Sequence, residues 1–191
     1  HDSLEAAWAA KQGFYEEMQA GHVLNGLTAT DGRFITPCKV QQMLQELPVK
    51  YSCESDPGMR LFMPVNMKWD WVGIMKNRGT ALGDLALTGQ VPLRFGDLPF
   101  VPLPLLPTDV LSCSVGSAVG SNGTFMFLAN PDNLFMGIQR EITFERERNG
   151  CQGRTFLIWT LRVDFLVENT DATVLYDCLD VGQCSDCPCP S

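Results

Sequence analysis

Eight cysteines are the residues of this sequence best equipped for covalent or metal chemistry: Cys38, Cys53, Cys113, Cys151, Cys178, Cys184, Cys187 and Cys189. Four of them fall in the last fourteen residues. An even count clustered in this way predicts a disulfide framework formed in an oxidising compartment. Cys38 and Cys53 are the expected local pair, with other bridges tying the C-terminal tail to the body. Zinc is the rival reading for Cys178, Cys184, Cys187 and Cys189. The Cys187-Pro-Cys189 step is too short for a CxxC knuckle, however, and no second knuckle exists. Cys184-Ser-Asp-Cys187 has the spacing of a redox motif. A catalytic CxxC opens a helix whose N-terminus lowers the thiol pKa, and this one sits in a Pro-flanked tail.

His1 and His22 are the only histidines. An N-terminal histidine can chelate Cu²⁺ through its α-amine and imidazole, as in the copper brace of secreted polysaccharide oxygenases. In those enzymes the histidine leads into a strand, whereas residues 2–20 here read as a helix, so a copper-dependent enzyme using His1 and His22 is the distant alternative. His22 follows Gly21, a candidate helix C-cap, where an imidazolium favours the helix dipole. Asp70 lies between Trp69 and Trp71 and is the most suggestive acid, since flanking aromatics can desolvate a carboxyl. Read as a strand, the segment puts Asp70 on the face opposite both tryptophans, so the expectation is a solvated residue. Gly116-Ser117-Ala118-Val119-Gly120 resembles a nucleophile elbow only in letters, and two histidines assemble no triad around it. Asn122-Gly123-Thr124 is a glycosylation sequon, relevant only to a chain that traverses a secretory lumen.

A better functional candidate is apolar. Five prolines from Pro92 to Pro107 hold Phe100, Val101, Leu103, Leu105 and Leu106 in an extended strap. Prolines at that density predict a polyproline-like segment outside any central ladder. Such a segment loses little entropy on docking, so Phe100 and Leu105 are expected to touch a partner or line a ligand entrance. The bland alternative is a crossover that covers an open end of the sheet. Trp69 and Trp71, with Trp159, would line the cavity of a lipocalin-like barrel if one forms; otherwise they fill the core.

Composition narrows the function classes. The chain has 191 residues, 45% hydrophobic and 19% charged, with a net charge of −8. This is globular composition, and 14 dispersed basic residues make no phosphate-binding face. No apolar run approaches the ~20 residues that span a bilayer, leaving peripheral contact as the membrane option. The densest arginines, Arg140, Arg146, Arg148 and Arg154, interleave with Glu141, Glu145 and Glu147 and read as a solvated, salt-bridged hairpin. The opening His-Asp-Ser-Leu reads as a processed or trimmed start.

Certain elements must position these residues. Asp2 and Glu5 form a capping-box pattern, and Leu4, Trp8, Tyr15 and Met18 recur at helical steps through Ala20. Thr36, Pro37 and Pro48 bound a second helix over 37–47. Beyond residue 48 the texture predicts strands at 49–53, 59–63, 67–72, 125–129, 134–138, 140–148, 154–168 and 173–178. Asn149-Gly150 is a hairpin signal, and Leu157, Trp159, Leu161, Val163, Phe165 and Val167 alternate on the arm that follows. Trp159 and Leu161 are therefore expected in the core.

The expected fold is α+β: two N-terminal helices, then a mainly antiparallel meander curled into a sheet or barrel and stapled by disulfides. The expected organisation is one domain, 1–191, with a helical part (1–48), the sheet (49–178) and a Cys-rich tail (179–191). The expected function is that of a non-catalytic binding or structural protein, extracellular or in an organelle lumen, a subunit of a larger assembly that uses the strap to meet protein partners. The alternative is a carrier of a small apolar ligand, lipid or pigment, in a barrel cavity. No cofactor is expected.

Overall fold

The computed structural model describes residues 13–28, 32–52, 58–76, 93–106, 108, 111–112, 122–149 and 152–182. Its centre is a mixed sheet in the order β1-β9-β6-β2-β4-β3, with β5 pairing β6 off that path. The strands are β1 (His22–Asn25), β2 (Arg60–Pro64), β3 (Arg94–Phe95), β4 (Leu98–Leu103), β5 (Leu111–Ser112), β6 (Asn122–Ala129) and β9 (Val174–Leu179). Between β6 and β9 the chain leaves the sheet as a separate two-stranded hairpin, β7 (Leu134–Asn149) and β8 (Arg154–Val167). The helices are α1 (Phe14–Met18), α2 (Pro37–Glu46), α3 (Val49–Ser52) and α4 (Val65–Lys76).

Alternation along the three central strands builds two cores. Leu61, Met63, Met126, Leu128, Val174 and Tyr176 face one side, where Val40 and Met43 of α2 and Met67 and Trp71 of α4 cover them. Phe62, Phe125, Phe127 and Leu175 face the other, covered by Met18 of α1 and by Val167 at the hairpin base. With both faces covered, β6 reads as an unbroken apolar run rather than as alternation, and it is buried from Gly123 to Ala129.

The expected fold class needs correction. The α+β character holds, but the helices are dispersed along the chain instead of forming an N-terminal pair. The sheet is open, and it includes the parallel pairs β1–β9 and β2–β4. Segment 67–72 is helix, not strand. Its buried residues Met67, Asp70 and Trp71 lie at helical spacing, which leaves Trp69 59% exposed. Segment 49–52 is also helical, with Tyr51 N–H donating to Pro48 O at 2.8 Å. The prediction for α2 stands: Thr36 caps it by accepting from Lys39 N–H, and Pro37 opens it. Of the long N-terminal helix only Phe14–Met18 lies among the described residues as helix.

The strap departs most from expectation, because its first part is strand β4 inside the sheet. Pro99 precedes the first ladder pair with β2, Leu61↔Phe100. Phe100 N–H donates outward to Leu93 O at 3.0 Å. Pro102, two residues on, has its missing donor on that same outer side, where the short β3 no longer runs. The prolines therefore cost the β2–β4 ladder little.

Disulfide stapling is also corrected. Cys38 is an exposed free thiol, which removes the Cys38–Cys53 pair. Cys178 is disulfide-bonded, and no bridge joins two described residues. Cys53, Cys113, Cys151, Cys184, Cys187 and Cys189 lie outside the described residues. Cys178 itself has φ +57 where β9 slips register against β6, so an extra residue is accommodated there as a bulge.

One long-range polar contact ties α1 to the sheet: Tyr15 Oη donates to Asp177 Oδ2 at 2.8 Å. Burial, and then the Asp177 carboxylate, push the Tyr15 phenol above its ordinary range. The unfolded phenol ionises near pH 10 while the folded one stays neutral, so this contribution is complete below pH ~10 and declines above it. Tyr15→Phe is expected to cost about 1–2 kcal/mol at neutral pH. In urea titrations it should also flatten the fall in stability above pH ~10; an unchanged alkaline slope would contradict the assignment.

Candidate functional site

Among the described residues, the hairpin β7–β8 is where most exposed large apolar side chains gather. Pairing runs from Leu134↔Val167 to Asn149↔Arg154, with irregularities on either side of Arg140↔Arg162. Its base packs on the body: Val167 is buried, and Phe14 of α1 meets Phe165 edge-on at 5.0 Å. Further out, one face carries Phe144 opposite Trp159, their rings 5.0 Å apart, flanked by Leu157 and Leu161. All four are half exposed or more, and Trp159 reaches 67%. Phe156 and Ile158 occupy the other face beside Glu145 and Glu147 and are exposed too.

The alternation read from the sequence is present, but the expected burial of Trp159 and Leu161 is not. A two-stranded ribbon has no second layer of its own, so its apolar face meets water until another surface covers it. The expected salt-bridged character fails as well: the described ion pairs, His22–Glu46 and Arg33–Asp180, lie elsewhere.

A clasp of asparagines holds the hairpin base. Asn130 and Asn169 each cap a 3-10 turn, accepting from Asp132 N–H and Asp171 N–H. Between them, the buried Asn133 donates from Nδ2 to Asn169 O at 2.8 Å. Its Oδ1 accepts from Asn169 N–H at 2.8 Å, and its main-chain O accepts from Glu168 N–H at 3.0 Å. Asn169 reaches on to the Tyr51 hydroxyl, and a Cβ on Gly58 would lie 2.6 Å from the Asn130 side chain. The clasp thus joins the two hairpin ends to each other, to Tyr51 of α3 and to Gly58 before β2. Beside it opens a cleft of about 540 Å³ lined by Tyr51, Met59, Asn130, Asp132, Asn133 and Glu168, among others.

The residues singled out in the sequence fall apart in space. Phe100 is in the core with Trp71, their rings 4.9 Å apart and edge-on. Val101, Leu103 and Leu106 are partly buried against the second core, and Leu105, 97% exposed, is the strap's solvent-facing member. Trp69 and Trp71 share α4, the first exposed and the second buried, while Trp159 lies on β8 and is exposed. Among the described residues the sheet is open and closes no barrel, so the carrier alternative has no support from them. Asp70 is buried rather than solvated and accepts from Gly182 N–H at 2.9 Å. His22 starts β1, with Nδ1 3.5 Å from Glu46 Oε1. His1 and the Gly116–Gly120 segment lie outside the described residues, and Asn122 opens β6 opposite Ser112. No cluster of metal-ligating side chains occurs among the described residues. No described helix is long and apolar enough to cross a membrane.

Sequence reasoning missed the hairpin as a site, although its signal was available. Arginine and glutamate crowd both strands beside large apolar residues, a mixture that a fully buried sheet does not carry.

No protein-family model matches the chain. No curated protein does either. The fold does have relatives among solved structures. A chain from the satellite phage P4 procapsid, a particle that includes the size determination (Sid) protein, is similar over 89% of this chain and 51% of that one, at TM-score 0.60 and 18% identity. A chain of Mycobacterium phage Che8 is similar over 84% and 54%, at TM-score 0.58 and 11% identity. The SrpI encapsulin of Synechococcus elongatus PCC 7942 is similar over 90% and 57%, at TM-score 0.51 and 13% identity. The chain spans about half the length of these chains. The expectation of an extracellular or lumenal, oxidising compartment is corrected with its premise, a disulfide framework that included Cys38, because Cys38 is a free thiol. The fold of this chain is similar to one found in a satellite phage procapsid, in a mycobacterium phage and in an encapsulin complex.

Proposed function

We propose that this chain is a non-catalytic structural subunit of a larger protein assembly, and that the hairpin β7–β8 is an arm that docks on a neighbouring subunit. The observation that carries the reading is the exposed apolar face around Phe144, Leu157, Trp159 and Leu161. Most exposed large hydrophobics among the described residues belong to this one hairpin. A contiguous patch of that kind on a two-stranded ribbon marks a protein contact, and its aromatic centre has the make-up of an interface hot spot. The likeness in fold to chains of phage and encapsulin particles supports the same reading.

Sedimentation velocity across a concentration series tests it. The double variant Phe144→Ser/Trp159→Ser is expected to weaken association by about a hundredfold. Its melting temperature should stay within a few degrees, since neither side chain is in the core. Association that survives the double variant unchanged would overturn the arm's role.

A further inference from the structure

Midway along the hairpin two arginines stand directly opposite each other, Arg140 on β7 and Arg162 on β8. Directly opposed residues of an antiparallel pair share a face at short range, and like charges there repel. Both side chains are exposed, neither has an ion pair among the described residues, and the register slips on both sides of them. The chain therefore tolerates an unfavourable cationic fork in the middle of its apolar arm. An anion from outside would turn that cost into an attraction, and paired guanidinium groups suit carboxylates through bidentate hydrogen bonds.

The charge of the rest of the chain identifies the source. Between residues 134 and 167 five arginines face four acids, a net of +1, so with −8 overall the remainder carries −9. The cleft at the hairpin base presents Asp132 and Glu168, both exposed, with Asp171 nearby in sequence. Arg140 is seven residues up β7 from Asn133, roughly 20 Å at the rise of a strand, so the fork cannot reach the cleft of its own chain.

We infer that the Arg140–Arg162 fork of one subunit docks on the Asp132–Glu168 cleft of a second copy of the same chain. This rests on the assembly reading above and adds the partner and its chemistry. Because the two patches differ, the contact is head-to-tail. Repeated from copy to copy, such a contact closes into rings when the rotation permits, as a shell requires. The fork shares its face of the ribbon with Phe156 and Ile158, opposite Trp159, so those two supply apolar contact beside it and the fork selects register and partner.

Charge swapping provides the test. Arg140→Glu/Arg162→Glu and Asp132→Arg/Glu168→Arg, each alone, are expected to weaken self-association by about tenfold or more at low salt. Mixed in equal amounts, the two variants should recover it to within about threefold, because reversed fork then meets reversed cleft. Circular dichroism of each should match the parent, since the main-chain groups at 132 and 168, not their side chains, make the clasp bonds. The milder Arg140→Gln/Arg162→Gln covers the case in which a reversal misfolds, and it should weaken association about threefold. Variants that associate like the parent while Phe144→Ser/Trp159→Ser does not would overturn the fork and leave the arm standing. Loss without rescue on mixing would overturn the cleft as partner. A parent chain that stays monomeric throughout, or a fork that retains a single-stranded oligonucleotide in a filter assay, would also overturn the inference.

Discussion

Trp71→Ala is expected to destabilise the chain by about 3–5 kcal/mol, whereas Trp159→Ala should change the dissociated chain by about 1 kcal/mol or less. Trp71 is 1% exposed and is held edge-on by Phe95 and Phe100, at 6.1 and 4.9 Å. Removing it opens a cavity between α4 and the sheet that rigid strands cannot collapse to fill. Trp159 loses little beyond its contact with Phe144, because water already surrounds most of it. Against a typical stability of about 5–15 kcal/mol, the first change brings the chain near unfolding at ambient temperature and the second does not. Equilibrium urea unfolding at low protein concentration decides the matter. Equal losses for the two variants would mean that the hairpin face is covered by its own chain, and the docking-arm reading would lose its basis. In associated material the order of importance changes, since Trp159 is then placed to be buried by a neighbour.

That pair of tryptophans also explains what the sequence could and could not convey. Binary pattern reports which side of an element is apolar but not what covers it. The alternation from Leu157 to Val167 correctly implied an apolar face on a long strand, and the Asn149-Gly150 turn correctly implied the hairpin. Assigning that face to this chain's core assumed that every apolar face finds its partner within the chain, and the exposed face around Trp159 violates this assumption. At α4 the error was one of period. Trp69-Asp70-Trp71 suggests strand alternation to the eye, yet Met67, Trp71 and Ile74 step by four and three, the helical spacing. In β4 proline density pointed away from a ladder, although proline excludes only a donor on the paired side, and which side is paired depends on neighbours distant in sequence. The cysteines misled in part: their number suggested a framework, and Cys178 is disulfide-bonded, but Cys38 on α2 is a free thiol, and cysteine count alone does not say which thiols meet. The candidate site was legible in composition, as arginine, glutamate and aromatics crowded into one hairpin. What stayed hidden was the register that sets Arg140 against Arg162, because the irregular pairing around them cannot be counted from the turn.

Asn133→Ala should be the most damaging polar substitution at the arm's base, at about 2–4 kcal/mol. Its Nδ2 and Oδ1 serve the carbonyl and the N–H of Asn169, so alanine leaves one buried acceptor and one buried donor without partners. Either group alone costs about 1–3 kcal/mol when unsatisfied, and water entering from the adjoining cleft lowers the sum. The loss should be local first. Asn169 also reaches Tyr51 and caps the turn leading into β9, so its displacement loosens the joint between arm and body before the sheet opens. Hydrogen exchange should therefore quicken at the amides of Glu168 and Asn169 in Asn133→Ala, while Met126 and Leu128 in the central strand keep their protection relative to global stability. Asn133→Asp retains the acceptor for Asn169 N–H but sets a carboxylate against Asn169 O, so it should fall between the parent and alanine below the carboxyl pKa and approach alanine above it. On the proposed docking reading, if the clasp only staples the fold, assemblies formed by Asn133→Ala should be fewer but uniform. If it also fixes the angle at which the arm leaves the body, they should vary in size at matched stability, because a head-to-tail contact passes each angular error on to the next copy. The second outcome is the one expected, and electron microscopy of the variant beside an equally destabilised core variant separates the two.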